Sequence, residues 1–252
     1  MNIAVITGAS SGLGKCYVDA VLKLNKYDEI WLIARRKERL EEIAKQNPDA
    51  KFRILPLDLT RDEHLEVYKN ELERSSSTIG ILINNAGYGK LGDFDKMEAS
   101  HCKGMIELNC VALTNVLNLS LSFMKRGSAA INVCSIAAFT PNPRMAVYSS
   151  TKAYVYSLSK AVRFELKRRG INVMAICPGP METEFLALAD IAPGSSKTFD
   201  TLPRVNPVKA AEKSVKAALK GRGIYTPKGF YKFYRVLSKL APHGILMNFS
   251  KT

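Results

Sequence analysis

The 252 residues include 46% hydrophobic and 24% charged side chains with Gly 16 and Pro 11, a balance that excludes a disordered, collagen-like or low-complexity chain and fits one large α/β domain. Lys and Arg outnumber Asp and Glu 37 to 23, a net charge of +14. That excess points to anionic partners, whether nucleotides, nucleic acid or a membrane surface, and charge alone does not choose among them. The five cysteines are scattered without a Cys-x-x-Cys pair and only three histidines are present, so no metal site is expected, and the four cysteines in apolar or helical patterns read as small buried hydrophobes.

The chain opens directly into an apolar run, without a basic leader or a small-residue cleavage site, and a cytoplasmic protein is expected. Apolar runs of strand length follow at residues 3–6, 30–34, 52–57, 79–83, 129–134 and 172–176, with a short seventh at 224–226. None approaches the ~20 residues that span a bilayer, and no transmembrane helix is expected. Between the strands, residues 13–24, 37–46, 63–74, 105–125, 148–169 and 208–220 have helical periodicity, several after Ser, Thr, Asp or Pro. Such alternation predicts a single Rossmann-like, doubly wound α/β domain over residues 1–252, its parallel sheet of about seven strands covered by helices on both faces. Two segments break the rhythm. Residues 178–207, with five prolines and Gly194-Ser195-Ser196, are too long for a simple connection and read as a substrate lid. Residues 228–252 form a basic, aromatic C-terminal extension for which the sheet demands neither strand nor helix.

Thr7-Gly8-Ala9-Ser10-Ser11-Gly12-Leu13-Gly14 follows the first strand and opens the first helix. Glycines there let backbone approach a pyrophosphate at the positive helix end, although tight turns and close helix packing also use glycine. The second strand ends in Arg35-Arg36-Lys37, where an NAD enzyme would carry an acid for the ribose 2′-hydroxyl. Cations suit a 2′-phosphate, which an arginine fork holds bidentately, so NADP(H) is the expected cofactor; a solvated basic helix entrance is the alternative.

Tyr148 and Lys152 lie four residues apart at a helix start, hence on one face. A nearby ammonium favours phenolate, which makes Tyr148 a candidate acid or base. Ser135 ends the fifth strand at the carboxyl edge of the sheet, where open α/β folds bind ligands.

With these motifs the chain resembles the short-chain dehydrogenases/reductases. The segment Thr7 to Gly14 is similar to the family's cofactor turn, Asn84-Asn85-Ala86-Gly87 to its segment after the fourth strand, and Ser135, Tyr148 and Lys152 to its catalytic trio. The likeness extends over residues 2–226. It implies a fourth catalytic residue at Asn109, an adenine contact at Asp58, a 2′-phosphate contact at Arg35, a cofactor motif at Pro178-Gly179 and a nicotinamide amide contact at Thr183. Pro180-Met181-Glu182 fills the stretch before Thr183 in a less common way. The implied catalytic set is therefore Asn109, Ser135, Tyr148 and Lys152. The cofactor set is Gly8, Ser10, Ser11, Gly12, Leu13, Gly14, Arg35, Arg36, Asp58, Asn85, Ala86, Gly87, Tyr148, Lys152, Pro178, Gly179 and Thr183.

The leading expectation is an NADP-dependent oxidoreductase that interconverts a ketone or aldehyde with an alcohol. Tyr148 would serve as acid, Lys152 would lower its pKa and hold the nicotinamide ribose, Ser135 would polarise the carbonyl and Asn109 would fix a water. A nucleotide-sensing module with the same fold would need only the glycine turn and Arg35. A nucleic-acid binder has no recognition module here. The substrate is expected to be a small carbonyl or alcohol compound that leans apolar, the assembly a homodimer or homotetramer built on residues 105–125 and 148–169. The tail is expected over the substrate opening or on a neighbouring subunit, ahead of a peripheral membrane contact.

Overall fold

The computed structural model describes residues 1–192, 194 and 196–249; Pro193 and Ser195 of the expected lid and residues 250–252 of the extension lie outside the described residues. Seven strands form one parallel sheet: β1 (Asn2–Thr7), β2 (Glu29–Ile33), β3 (Phe52–Leu55), β4 (Thr78–Asn84), β5 (Ala129–Val133), β6 (Asn172–Ile176) and β7 (Ile224–Tyr225). Their order is β3-β2-β1-β4-β5-β6-β7. The chain winds outward from β1 to β3 and then returns to pair β4 with the other side of β1. The direction of winding changes there, so a crevice opens at the carboxyl ends of β1 and β4.

Side chains alternate across each strand, and both faces of β1 are covered. Ala4 and Ile6 pack in one core with helices α1 (Gly12–Leu22) and α2 (Lys37–Lys45). Ile3 and Val5 pack in the other, against α3 (Asp62–Ser75). Next come α4 (Ala99–Ile106), α5 (Leu113–Leu121) and α6 (Ala146–Glu165), of which α5 belongs to the second core through Val116 and Leu117. Two short helices, α7 (Glu184–Leu188) and α8 (Lys197–Thr201), lie in the lid, and α9 (Pro207–Leu219) returns to pack beside α1. This burial on both sides is why the strands read as continuous apolar runs rather than alternating ones.

Three expectations change. The helix expected at 105–125 begins earlier and ends earlier: α4 and α5 are one continuous helix, Ala99–Leu121, with a wide π turn over Glu107–Ala112. Its first turns, Ser100 to Gly104, lack apolar periodicity in the sequence. By length and composition alone this 23-residue helix, with an 18-residue window of mean hydropathy 1.2, is long and apolar enough to cross a membrane, contrary to the reading of the strand-length runs alone. Met105, Asn109, Leu113, Val116 and Ser120 are nevertheless buried along it, as in a core helix. The extension is also ordered, forming α10 (Gly229–Leu240) and α11 (His243–Phe249). Finally, only Cys134 and Cys177 are buried; Cys16, Cys102 and Cys110 are half-buried.

Candidate active site

The glycine turn owes its shape to a threonine. Thr7 closes β1, and its hydroxyl accepts hydrogen bonds from the amides of Asn85 and Ala86, both at 3.0 Å. In return Asn85 Nδ2 donates to the carbonyls of Thr7 (3.0 Å) and Gly8 (3.2 Å). The loops after β1 and β4 are thereby fastened together at the crevice. Gly8 and Gly12 have φ of +64° and +53°, the left-handed region that side chains disfavour. Gly14 is required for another reason: a Cβ there would lie 2.0 Å from the Gly8 carbonyl oxygen.

Basic side chains close one end of the crevice. Arg36 Nη2 donates to Ser10 Oγ (3.2 Å) and Ser11 Oγ (2.9 Å), while Arg36 Nη1 and Arg39 Nη1 reach Glu184 at the start of α7, at 3.2 and 2.6 Å. These partners are more than 40% exposed, so the contacts are weak and exchangeable. Arg39 and then Arg36 hold the Glu184 carboxyl below its usual range. Asp58 accepts from the amide (3.1 Å) and hydroxyl (2.7 Å) of Thr60. Burial raises its pKa, but the Thr60 bonds and the charges of Arg35 and His64 outweigh that and lower it.

At the other end, Ser135 leaves β5 and caps a short turn, its hydroxyl accepting from the Ala137 amide at 3.1 Å. Asn142, which the sequence reading passed over, ties the following loop back through Ala137 O (3.2 Å) and Thr140 O (2.8 Å). Tyr148 and Lys152 occupy one face of α6 and are 8% and 4% exposed. The Tyr148 ring packs 5.6 Å from Phe185 of α7, and Gly89 leaves room for both rings. Lys152 Nζ lies 5.7 Å from the Tyr148 ring centre and donates to Val133 O at 2.9 Å. The expected lowering of the phenol pKa by Lys152 is therefore not made in this state. Burial pushes Tyr148 well above the ordinary tyrosine range, opposed by its hydrogen bond with Ser135, and burial pushes Lys152 down.

Asn109 sits behind the cavity wall in the π turn. Its Oδ1 accepts from the Tyr88 amide (3.0 Å), and its Nδ2 donates to Tyr88 O (2.8 Å) and Thr151 Oγ1 (3.1 Å). Its side chain thus braces the β4 loop against α6. A Cβ on Gly87 would meet Asn109 Oδ1 at 2.8 Å, so glycine permits this approach.

One cavity of about 900 Å³ unites the two ends, and every residue of the expected catalytic and cofactor sets lines it except Gly14 and Asn109. Its far wall is apolar, formed by Met145, Phe185, Leu188 and Phe199 together with Leu237 and Leu246 of the extension. Tyr231 of α10 is seated on Gly179, where a Cβ would come within 2.3 Å of the ring, and its hydroxyl donates to Pro203 O at 2.8 Å. The extension thus forms part of this chain's own cavity wall. Glu184, Arg39 and Tyr231 carried no local signal, because each acts through a partner distant in sequence; Asn142 bonds within its own loop and the helix that follows, in a stretch with no periodic pattern.

A dinucleotide fits these residues. The glycine cradle admits backbone close to a pyrophosphate, and among the described residues no acidic side chain stands in the first turn of α1, leaving the positive helix end to an anion.

Comparison with known proteins agrees with this geometry. An uncharacterized oxidoreductase of Staphylococcus epidermidis is 30% identical over 185 residues, 72% of this chain and 79% of the relative. A short-chain dehydrogenase from Sphingobium yanoikuyae, solved in complex with NADPH, superposes with a TM-score of 0.81 at 29% identity, over 98% of this chain and 96% of that one. The bulky-bulky ketone specific alcohol dehydrogenase from Comamonas testosteroni gives 0.76 at 25% identity, over 98% and 94%. The family model described as short chain dehydrogenase matches residues 2–191, and with the glycine turn, the sheet order and the Ser135, Tyr148 and Lys152 cluster in place, this chain belongs to the short-chain dehydrogenase/reductase family of oxidoreductases.

Proposed function

We propose that the protein is an NADP-dependent oxidoreductase that interconverts an apolar ketone or aldehyde with its alcohol. The observation that carries this reading is the convergence of Ser135 and Tyr148 on the same cavity as the glycine turn and the Arg35-Arg36 pair. Gly8, Ser10 to Leu13, Asn85 to Gly87, Pro178, Gly179 and Thr183 would hold the dinucleotide, with Asp58 beside its adenine. The fold does not choose between NAD and NADP; two arginines at the end of β2, with no acid there, favour the 2′-phosphate. When bound, the nicotinamide supplies the hydride for reduction or takes it in oxidation.

Tyr148 passes its phenol proton to the carbonyl oxygen as the alcohol forms, and receives it back in the reverse direction. Burial keeps that proton in place at neutral pH. Ser135 donates a hydrogen bond to the same oxygen as negative charge develops. Lys152 holds the nicotinamide ribose and stabilises phenolate once a ligand draws its ammonium away from Val133 O. Asn109 positions the wall by bracing the loop after β4 against α6. The apolar far wall favours a substrate with a bulky hydrocarbon portion. The protein is further proposed to work as a homodimer or homotetramer through α4, α5 and α6, on which Ile106, Val111, Tyr154 and Phe164 are exposed.

The test is consumption of NADPH and NADH against aliphatic and aromatic ketones and aldehydes. Apolar carbonyl compounds should be reduced, with NADPH bound at least about tenfold more tightly than NADH, or ~1.4 kcal/mol, and Arg35→Asp should erase the preference. Equal affinity for the two cofactors would reject the phosphate role of the arginines, and no turnover across the panel would reject the reaction.

A further inference from the structure

Helix α10 has apolar side chains on two sides. It meets the body of the protein through Tyr231, Tyr234, Leu237 and Ser238. At about 100° per residue, the pole opposite them holds Phe233, Val236 and Leu240, which are 66%, 53% and 80% exposed. A surface helix ordinarily turns polar residues that way. Ile245 of α11 and Phe230, at the cavity edge, are likewise more than half exposed. Lys228, Lys232 and Lys239 are exposed beside it.

The charge around the patch selects its occupant. After Glu212 the sequence has no acidic residue, while nine of residues 213–252 are Lys or Arg. A second copy seated on this face by two-fold symmetry would bring two such basic segments together. An anionic lipid surface satisfies both features, taking the apolar ridge between its headgroups and offering phosphates to the lysines.

We propose that α10 and α11 form a docking surface for anionic lipid bilayers: Phe233, Val236 and Leu240 enter the headgroup boundary and Lys228, Lys232 and Lys239 meet lipid phosphates. Docked in this way, the cavity edge formed by Phe230, Leu237 and Leu246 faces the membrane, and an apolar substrate reaches the site without crossing water. One short helix binds a bilayer only modestly, so the attachment is reversible and weakens with salt.

Flotation of the full chain with phosphatidylcholine vesicles, with and without phosphatidylglycerol, tests this. The protein should float with the phosphatidylglycerol vesicles and stay behind with phosphatidylcholine alone. Lys232→Glu with Lys239→Glu, and separately Phe233→Ser with Leu240→Ser, should each lower partition by about tenfold or more while thermal unfolding and oligomer mass stay as in the parent. These side chains are exposed, so folding does not depend on them. Failure of the full chain to float with phosphatidylglycerol vesicles overturns the proposal. So does a loss of oligomer mass in Phe233→Ser with Leu240→Ser, which assigns the face to a second copy. The measurement needs neither cofactor nor turnover, so its failure is distinct from failure of the redox reading.

Discussion

Tyr148 is enclosed by the Phe185 ring, the Gly89 backbone and the wall of α6, and this apolar setting decides its titration. A phenolate in such a place loses hydration that Lys152, turned toward Val133 O, does not replace. Burial therefore raises the phenol pKa in the free protein. The sign for catalysis follows. Reduction needs the protonated phenol, so its kcat/KM should stay level from neutral pH to about pH 10. Oxidation needs the deprotonated form, so its kcat/KM should climb with pH over the same span. Rate profiles in both directions check this, and an oxidation plateau near pH 8 would mean that Lys152 already faces the phenol.

At the scale of elements, the strongest local commitment is the π turn in the helix Ala99–Leu121. The wide turn places Asn109, fully buried, where three hydrogen bonds tie the loop after β4 to α6. Asn109→Ala leaves a buried amide, a carbonyl and a hydroxyl without that partner, and should cost about 2–3 kcal/mol. Urea unfolding with an unchanged m value would record it; a loss below ~1 kcal/mol would mean that the brace is not structural. The strands β1, β2 and β4 to β6 were legible because parallel strands buried on both faces leave unbroken apolar runs. The tail helix was not, since its anchor is the seat of Tyr231 on Gly179, a contact that no local pattern announces. Glu184 escaped notice similarly: its partner Arg36 lies 148 residues away in sequence. The glycine turn, the Arg35-Arg36 pair, Ser135, Tyr148 and Lys152 were legible because they stand at strand ends or in the first turns of helices, which the alternation of elements places on one edge of the sheet; Asn109, in the middle of a helix, Asp58 and Thr183 were reached only through the family resemblance.

For the whole molecule, assembly and chemistry are separable. Phe164, near the end of α6, is 79% exposed, and the proposed assembly through α6 would cover it. Across a two-fold interface Phe164→Lys places two charges on an apolar contact, and light scattering should show a smaller assembly; unchanged mass would move the interface elsewhere. The central claim, that this cavity performs proton transfer through Tyr148, is tested most directly by Tyr148→Phe, which keeps the ring and removes the hydroxyl. With a carbonyl compound that the parent reduces, turnover should fall by about 10²-fold or more while NADPH affinity changes by less than about twofold. Turnover within a few fold of the parent, with NADPH bound as before, would contradict the account and place the proton donor on another residue.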